Sequence, residues 1–242
     1  MSGTRLRTLS VLTVITLIGG FALAAFYAPM DADQGFIQKI FYLHVPMAIV
    51  ALVGFVLGGI FAIAQLRTGD SKWDLRSYVA IHISVILGVG VLLTGAIWAK
   101  ASWGHWWVWD EPTLVSFLIV FLLYATYTPL RFSIEDREKQ ARYASVFAIT
   151  AGAFVPLNFA AVRAATATVH PRTFDRAGNL PGHMATAFLV CIVGMAFLYW
   201  FLFEYEIAHK TTVARLRSLK RKLADDDGAR ARRSAAPELQ VP

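Results

Sequence analysis

Six apolar runs, each close to the ~20 residues an α-helix needs to cross a hydrocarbon core of about 30 Å, fall at roughly 9 to 28, 41 to 65, 78 to 99, 113 to 131, 143 to 162 and 184 to 206. The pattern predicts an all-α integral membrane protein with six transmembrane helices in one bundle. Composition agrees, since 57% of the 242 residues are hydrophobic and only 16% are charged. The mean hydropathy is positive, which is too apolar for one soluble core. We read residues 1–209 as a single transmembrane domain and 210–242 as a charged tail, partly disordered.

The first run follows Arg5 and Arg7, but it is longer than the apolar part of a usual signal peptide, and Pro29 sits badly for cleavage after Ala28. It reads as a retained anchor. The one cysteine, Cys191, falls in the middle of the last run. A disulfide and a Cys-x-x-Cys-His covalent haem site are both excluded within this chain, and Cys191 reads as packing.

The net charge of +7 is distributed by loop and not gathered into a groove-like patch, so nucleic acid is not the partner it implies. Arg5 and Arg7 precede the first span; Arg67, Lys72 and Arg76 separate spans two and three; Arg131, Arg137, Lys139 and Arg142 separate spans four and five; Lys210 to Arg233 follow the last. By the positive-inside rule these segments face the cytoplasm, with both termini. The loops at 29 to 40, 100 to 112 and 163 to 183 then face outward. The tail, with Asp225, Asp226 and Asp227 before an Arg cluster, reads as an amphipathic extension that frays and meets lipid at most.

The second outward loop holds four of the seven tryptophans within Trp103-Gly104-His105-Trp106-Trp107-Val108-Trp109-Asp110. An interfacial aromatic belt is one account of them. A wall of flat apolar faces for a large planar ligand is the other, and the density of indoles favours it. In the following Asp110-Glu111-Pro112, Asp110 suits the cap of span four, Glu111 complements the positive helix end, and Pro112 fits the first turn.

His44, in Ile40-Phe41-Tyr42-Leu43-His44-Val45-Pro46, lies at the outward start of span two, where an imidazole among apolar residues calls for a partner. His170 lies in the third outward loop. Two histidines from separate segments, flanking a tryptophan platform, suit the two axial positions of a haem iron. His105 inside the platform reads equally as a ligand or as an aromatic-edge hydrogen bonder, and His183 reads as a helix-terminus residue. His82 lies near the cytoplasmic end of span three, and His209 in the solvated tail.

Lys100, Arg163, Arg172 and Arg176 are cations on outward loops, where charge-assisted contacts to two propionates are one use for them. Gly54 and Gly58 form a small-xxx-small pair suited to close helix packing. Phosphate-binding loops, dinucleotide fingerprints and metalloprotease histidine pairs are absent from the sequence.

The stretch from Thr94 through Trp98, Lys100 and Trp103 to Asp110 resembles the tryptophan-rich "WWD" signature of the haem-handling proteins of cytochrome c maturation. The six-span size looks like the CcmC branch, or haem exporter protein C family, and Tyr42-Leu43-His44-Val45-Pro46 is similar to its first haem-ligand segment. The likeness covers about 36 to 200, with the WWD loop at about 98–113.

The resemblance implies a bacterial inner-membrane protein that binds haem b non-covalently on its outer face and passes it to the haem chaperone CcmE, beside CcmA, CcmB and CcmD. It implies His44 and His170 as axial ligands, with Trp103, Trp106, Trp107, Trp109, Asp110 and Lys100 around the haem. Around His170 the family usually has a Trp-Trp pair and Leu-His-Gln, whereas this chain has Arg163-Ala164-Ala165-Thr166-Ala167-Thr168-Val169-His170-Pro171. His183 therefore stands as the alternative second ligand. The family's basic residue two positions after the Asp is Pro112 here.

Two other classes compete. A transmembrane electron-transfer cytochrome needs paired histidines at matching depth inside spans, and only His82 lies well inside one. A permease subunit of a haem transporter needs polar or broken helices at mid-membrane, and these spans are apolar. With no group arranged to make or break a bond, the chain reads as a binding and transfer protein and not as an enzyme.

The charge pattern generates the first prediction. A reporter that is active only outside the cytoplasm, fused after Pro242, should stay silent. Activity there would reverse the outward assignment of all three loops.

Overall fold

In lipid each backbone N–H and C=O must find its partner within its own segment, so a span of this composition has little choice but helix. The computed structural model describes residues 3–165, 169–170 and 180–234, with side chains through residue 227. Its helices are α1 (Gly3–Ala22, continued by a π turn Leu23–Tyr27), α2 (Phe41–Thr68, preceded by a 3₁₀ turn Phe36–Ile40), α3 (Ser71–Trp103), α4 (Pro112–Ala125), α5 (Tyr127–Phe132), α6 (Arg137–Ala164) and α7 (Gly182–Ser234). Six of the helical stretches are long and apolar enough to cross a membrane, with α4 and α5 together making one.

The helices outrun the apolar runs because their ends are capped by side chains and glycines. Gly69, at φ 68°, closes α2, and Asp70 immediately opens α3 by accepting from the Lys72 N–H at 2.9 Å. Asp136 opens α6 in the same way, accepting from the Lys139 N–H at 2.8 Å. α7 runs without a break through Ser234, where the sequence reading has a fraying tail. Residues 210–223 contain neither Gly nor Pro and are rich in Leu, Lys and Arg, all good helix formers.

α2 is the hub, packed against α3, α6 and α7, while α1 leans on α7. The close approach of α2 to α3 uses the two glycines singled out in the sequence. A Cβ on Gly54 would collide with the Ser84 hydroxyl and the Tyr199 phenol, and one on Gly58 would lie 2.6 Å from Ile81 Cγ1. Ser77 uses the proximity to donate from Oγ to the Gly58 carbonyl at 2.8 Å. Cys191 is buried between α7 and α1, where Gly20 leaves room for its sulfur.

Two polar clusters lie at the end of the bundle away from the Trp-rich loop. Arg131 makes a bidentate pair with Asp74 (2.7 and 2.6 Å), and its guanidinium lies over the Tyr78 ring. His82 Nδ1 lies 2.9 Å from Glu206 Oε1, which Lys210 also reaches at 3.2 Å. His82 is thereby occupied at the opposite end of the bundle from His44 and His170.

If α2 and α3 depend on this contact, Gly54→Ala and Gly58→Ala should each destabilise the protein by about 1–3 kcal/mol, the usual cost of overpacking. Gly19→Ala, where nothing lies within 4 Å of the added carbon, should be neutral or slightly stabilising. Thermal unfolding of the three variants in detergent checks the contrast.

Candidate functional site

At the Trp-rich end, α2, α3, α4 and α6 splay apart around a cleft of about 1400 Å³, its open mouth included. Its floor is apolar, built from side chains such as Val45, Ile49, Leu52, Phe117 and Val120. Around the upper wall stand Trp98, Trp103, Trp107, His44 and His170.

His44 comes from the first turns of α2 and is only 9% exposed. Its Nδ1 lies 2.9 Å from the Thr94 hydroxyl on α3. That hydroxyl donates to the Gly90 carbonyl at 2.7 Å, so its oxygen is left to accept, and the imidazole proton belongs on Nδ1. Nε2 then keeps its lone pair, the form in which imidazole binds a metal. Gly95 lets the ring in, since a Cβ there would lie 2.9 Å from His44 Cε1. Trp98, four residues after Thr94, meets the His44 ring edge-on at 5.9 Å and donates its N–H to Gln34 at 2.8 Å.

His170 comes from the segment after α6, with its ring edge-on to Trp103, the last residue of α3, at 6.2 Å. Both imidazoles therefore line the same cleft although 126 positions separate them in the chain (170 − 44). Trp107 also lines it, and its indole N–H is buried without a hydrogen-bond partner among the described residues. A buried donor left unmade costs about 1–3 kcal/mol. Such a group beside a cleft fits a ligand acceptor.

The other proposed contacts separate from this wall. Trp106 and Trp109 are 60% and 73% exposed, on the outer side of the loop, and His105 and Asp110 are exposed beside them. Lys100 donates to the Gly104 carbonyl at 2.9 Å, tying off the end of α3. His183 packs against Tyr27 at 4.4 Å and does not line the cleft. Arg163 does line it, with its guanidinium over Phe159. Arg172 and Arg176 lie outside the described residues.

The cap of α4 is a correction to the sequence reading. Glu111, not Asp110, is the N-cap, and its carboxylate accepts from the Thr113 N–H at 3.3 Å. Thr94, Gly95, Trp98 and Glu111 were missed as site residues. The signal for three of them was available: Thr94 and Trp98 lie four apart on one helix face, and Gly95 sits between them.

Among the described residues no three His, Cys, Asp or Glu side chains gather to hold a metal ion. Two imidazoles are too few for a bare zinc site, which takes three or four protein ligands. They suffice for an iron whose equatorial positions are filled by a macrocycle. The apolar floor, the indole wall and one lining guanidinium fit such a flat, largely apolar, acid-bearing group.

The family model described as "CcmC: Heme exporter protein C" matches residues 1–223. Among curated proteins, the chain is 33% identical over 157 residues to "Heme exporter protein C" of Rhodobacter capsulatus, covering 65% of this chain and 64% of that protein. It is 30% identical over 200 residues to the protein of the same name from Bradyrhizobium diazoefficiens, covering 81% and 73%. For the Escherichia coli K12 protein of that name the figures are 30% over 149 residues, 62% and 60%. The match thus spans under two thirds of the length of two of these three relatives.

The His44–Thr94 geometry generates a spectroscopic prediction. Gly95→Ala should push the imidazole off the Thr94 hydroxyl, and Thr94→Val should remove the acceptor. Both should shift the His44 Nδ1–H resonance of the ¹⁵N-labelled, ligand-free protein in the same direction. An unchanged resonance in both would mean that Nδ1 does not carry the proton to Thr94.

Proposed function

The chain belongs to the heme exporter protein C family, and from that membership and the cleft we propose that it binds haem b at the Trp-rich end of the bundle and passes it to the chaperone CcmE during cytochrome c maturation. The single observation that carries the reading is the pair of imidazoles on one indole-walled cleft, with no three-residue metal-binding group among the described residues. His44 and His170 would hold the haem iron through their ring nitrogens, with His44 kept in place for this by Thr94, and haem would supply the metal that they bind.

Trp98, Trp103 and Trp107 give flat faces that exclude water from the iron, each worth about 1 kcal/mol beyond area burial. Arg163 offers a cation to a propionate. Trp106 and Trp109 are exposed and outside the cleft lining, where a partner carrying the haem onward would meet them. The only cysteine is Cys191, buried elsewhere, which supports non-covalent holding and hence release. With the positive-inside pattern, the cleft opens to the outer side of the inner membrane, next to CcmA, CcmB and CcmD on this reading.

The absorption spectrum of the purified protein titrated with haem tests the proposal. His44→Ala and His170→Ala should each weaken binding by at least about tenfold, in line with loss of a metal ligand or its support, and each should abolish the bis-imidazole spectrum. His82→Ala should leave it unchanged. Retention in His170→Ala with loss in His183→Ala would move the second ligand to His183, and retention in all variants would end the haem reading.

A further inference from the structure

The two imidazoles of the cleft are held by different means. His44 rides on a long helix and is fixed by Thr94 and Gly95. His170 lies in a connecting segment, outside any helix, and sites carried on loops are less precise than sites on regular elements unless a second shell locks them.

Glu111 supplies that lock. Its side chain is 0% exposed, and a carboxylate is costly to bury unless its oxygens are hydrogen-bonded. One oxygen, Oε1, accepts from the Thr113 N–H at 3.3 Å and caps α4. The other, Oε2, accepts from the Val169 N–H at 2.9 Å and from the His170 N–H at 3.2 Å, residues 58 and 59 positions away.

Capping does not explain this second set of contacts. Asp136 caps α6 with the shorter carboxylate and is left exposed. At the head of α4 the longer acid is used and buried, and its extra reach goes to the backbone of the histidine segment. The Trp103 ring then meets the His170 imidazole from the end of α3, so the residues on both flanks of the Trp-rich loop bear on the same histidine.

We propose that Glu111 is a positioning residue that holds His170 at the cleft through its backbone N–H and that of Val169, coupling the start of α4 to the second imidazole. The proposal rests on the haem-binding reading for its purpose, but its geometry is a property of the ligand-free protein.

Glu111→Asp separates positioning from capping, because Asp is an equal or better N-cap and keeps the charge but is one methylene too short to reach both sites. Expected in the ligand-free protein is near-normal thermal stability with amide hydrogen exchange at Val169 and His170 at least about tenfold faster, as for loss of charge-assisted hydrogen bonds. Glu111→Gln, which keeps the reach, should fall between wild type and Asp. With haem added, Glu111→Asp should give the spectrum of His170→Ala, and in both, millimolar imidazole should bring back the bis-imidazole form.

Wild-type exchange rates at both amides in Glu111→Asp would overturn the proposal, as would a wild-type haem spectrum in that variant. If wild-type protein itself shows no bis-imidazole spectrum, the haem reading fails, and the exchange rates still decide whether Glu111 holds the segment.

Discussion

The contact between α2 and α3 sets the depth of everything above it. Gly54 and Gly58 bring the two backbones close enough that Ser77 bonds directly to the Gly58 carbonyl. Three to four turns up the pair, the same approach leaves no room for a side chain at Gly95, and the His44 imidazole fills that gap and reaches Thr94. The histidine's tautomer is therefore a consequence of helix packing. A wider crossing would leave His44 with the same sequence neighbours and no acceptor for its Nδ1 proton.

The cleft follows from the same geometry, with α4 and α6 completing its walls where α2 and α3 end near the Trp-rich loop. Indoles divide there by depth: Trp98, Trp103 and Trp107 line the cleft, while Trp106 and Trp109 stay exposed. A cleft wall and an exposed aromatic rim are built from one short segment because the chain turns at Gly104, at φ 79°, directly after α3.

Much of the architecture was legible in the chain. Six apolar runs became six membrane-length helical stretches, and the Gly54/Gly58 pair became a helix contact. The site was legible only in part. His44, Trp103 and Trp107 stood out by residue type in an apolar setting, and they do line the cleft. Asp110 stood out as a helix cap and as the end of the WWD-like stretch, and Lys100 as an outward cation; in the structure the first is exposed and the second ties off a helix end. Glu111 looked like an ordinary first-turn acid because its distinguishing contacts are to residues 58 and 59 positions later.

By itself the sequence determined the fold class, because lipid offers backbone polar groups no partner outside the helix, and it determined which residue types were too costly to lie idle at a membrane boundary. Only the tertiary structure decided which of these residues share a cleft. His170 lines it and His183 does not, a difference no local pattern encodes. Pairing across the bundle depends on crossing distances fixed by glycines and on a buried carboxylate that spans two distant segments, and both are properties of packing between elements.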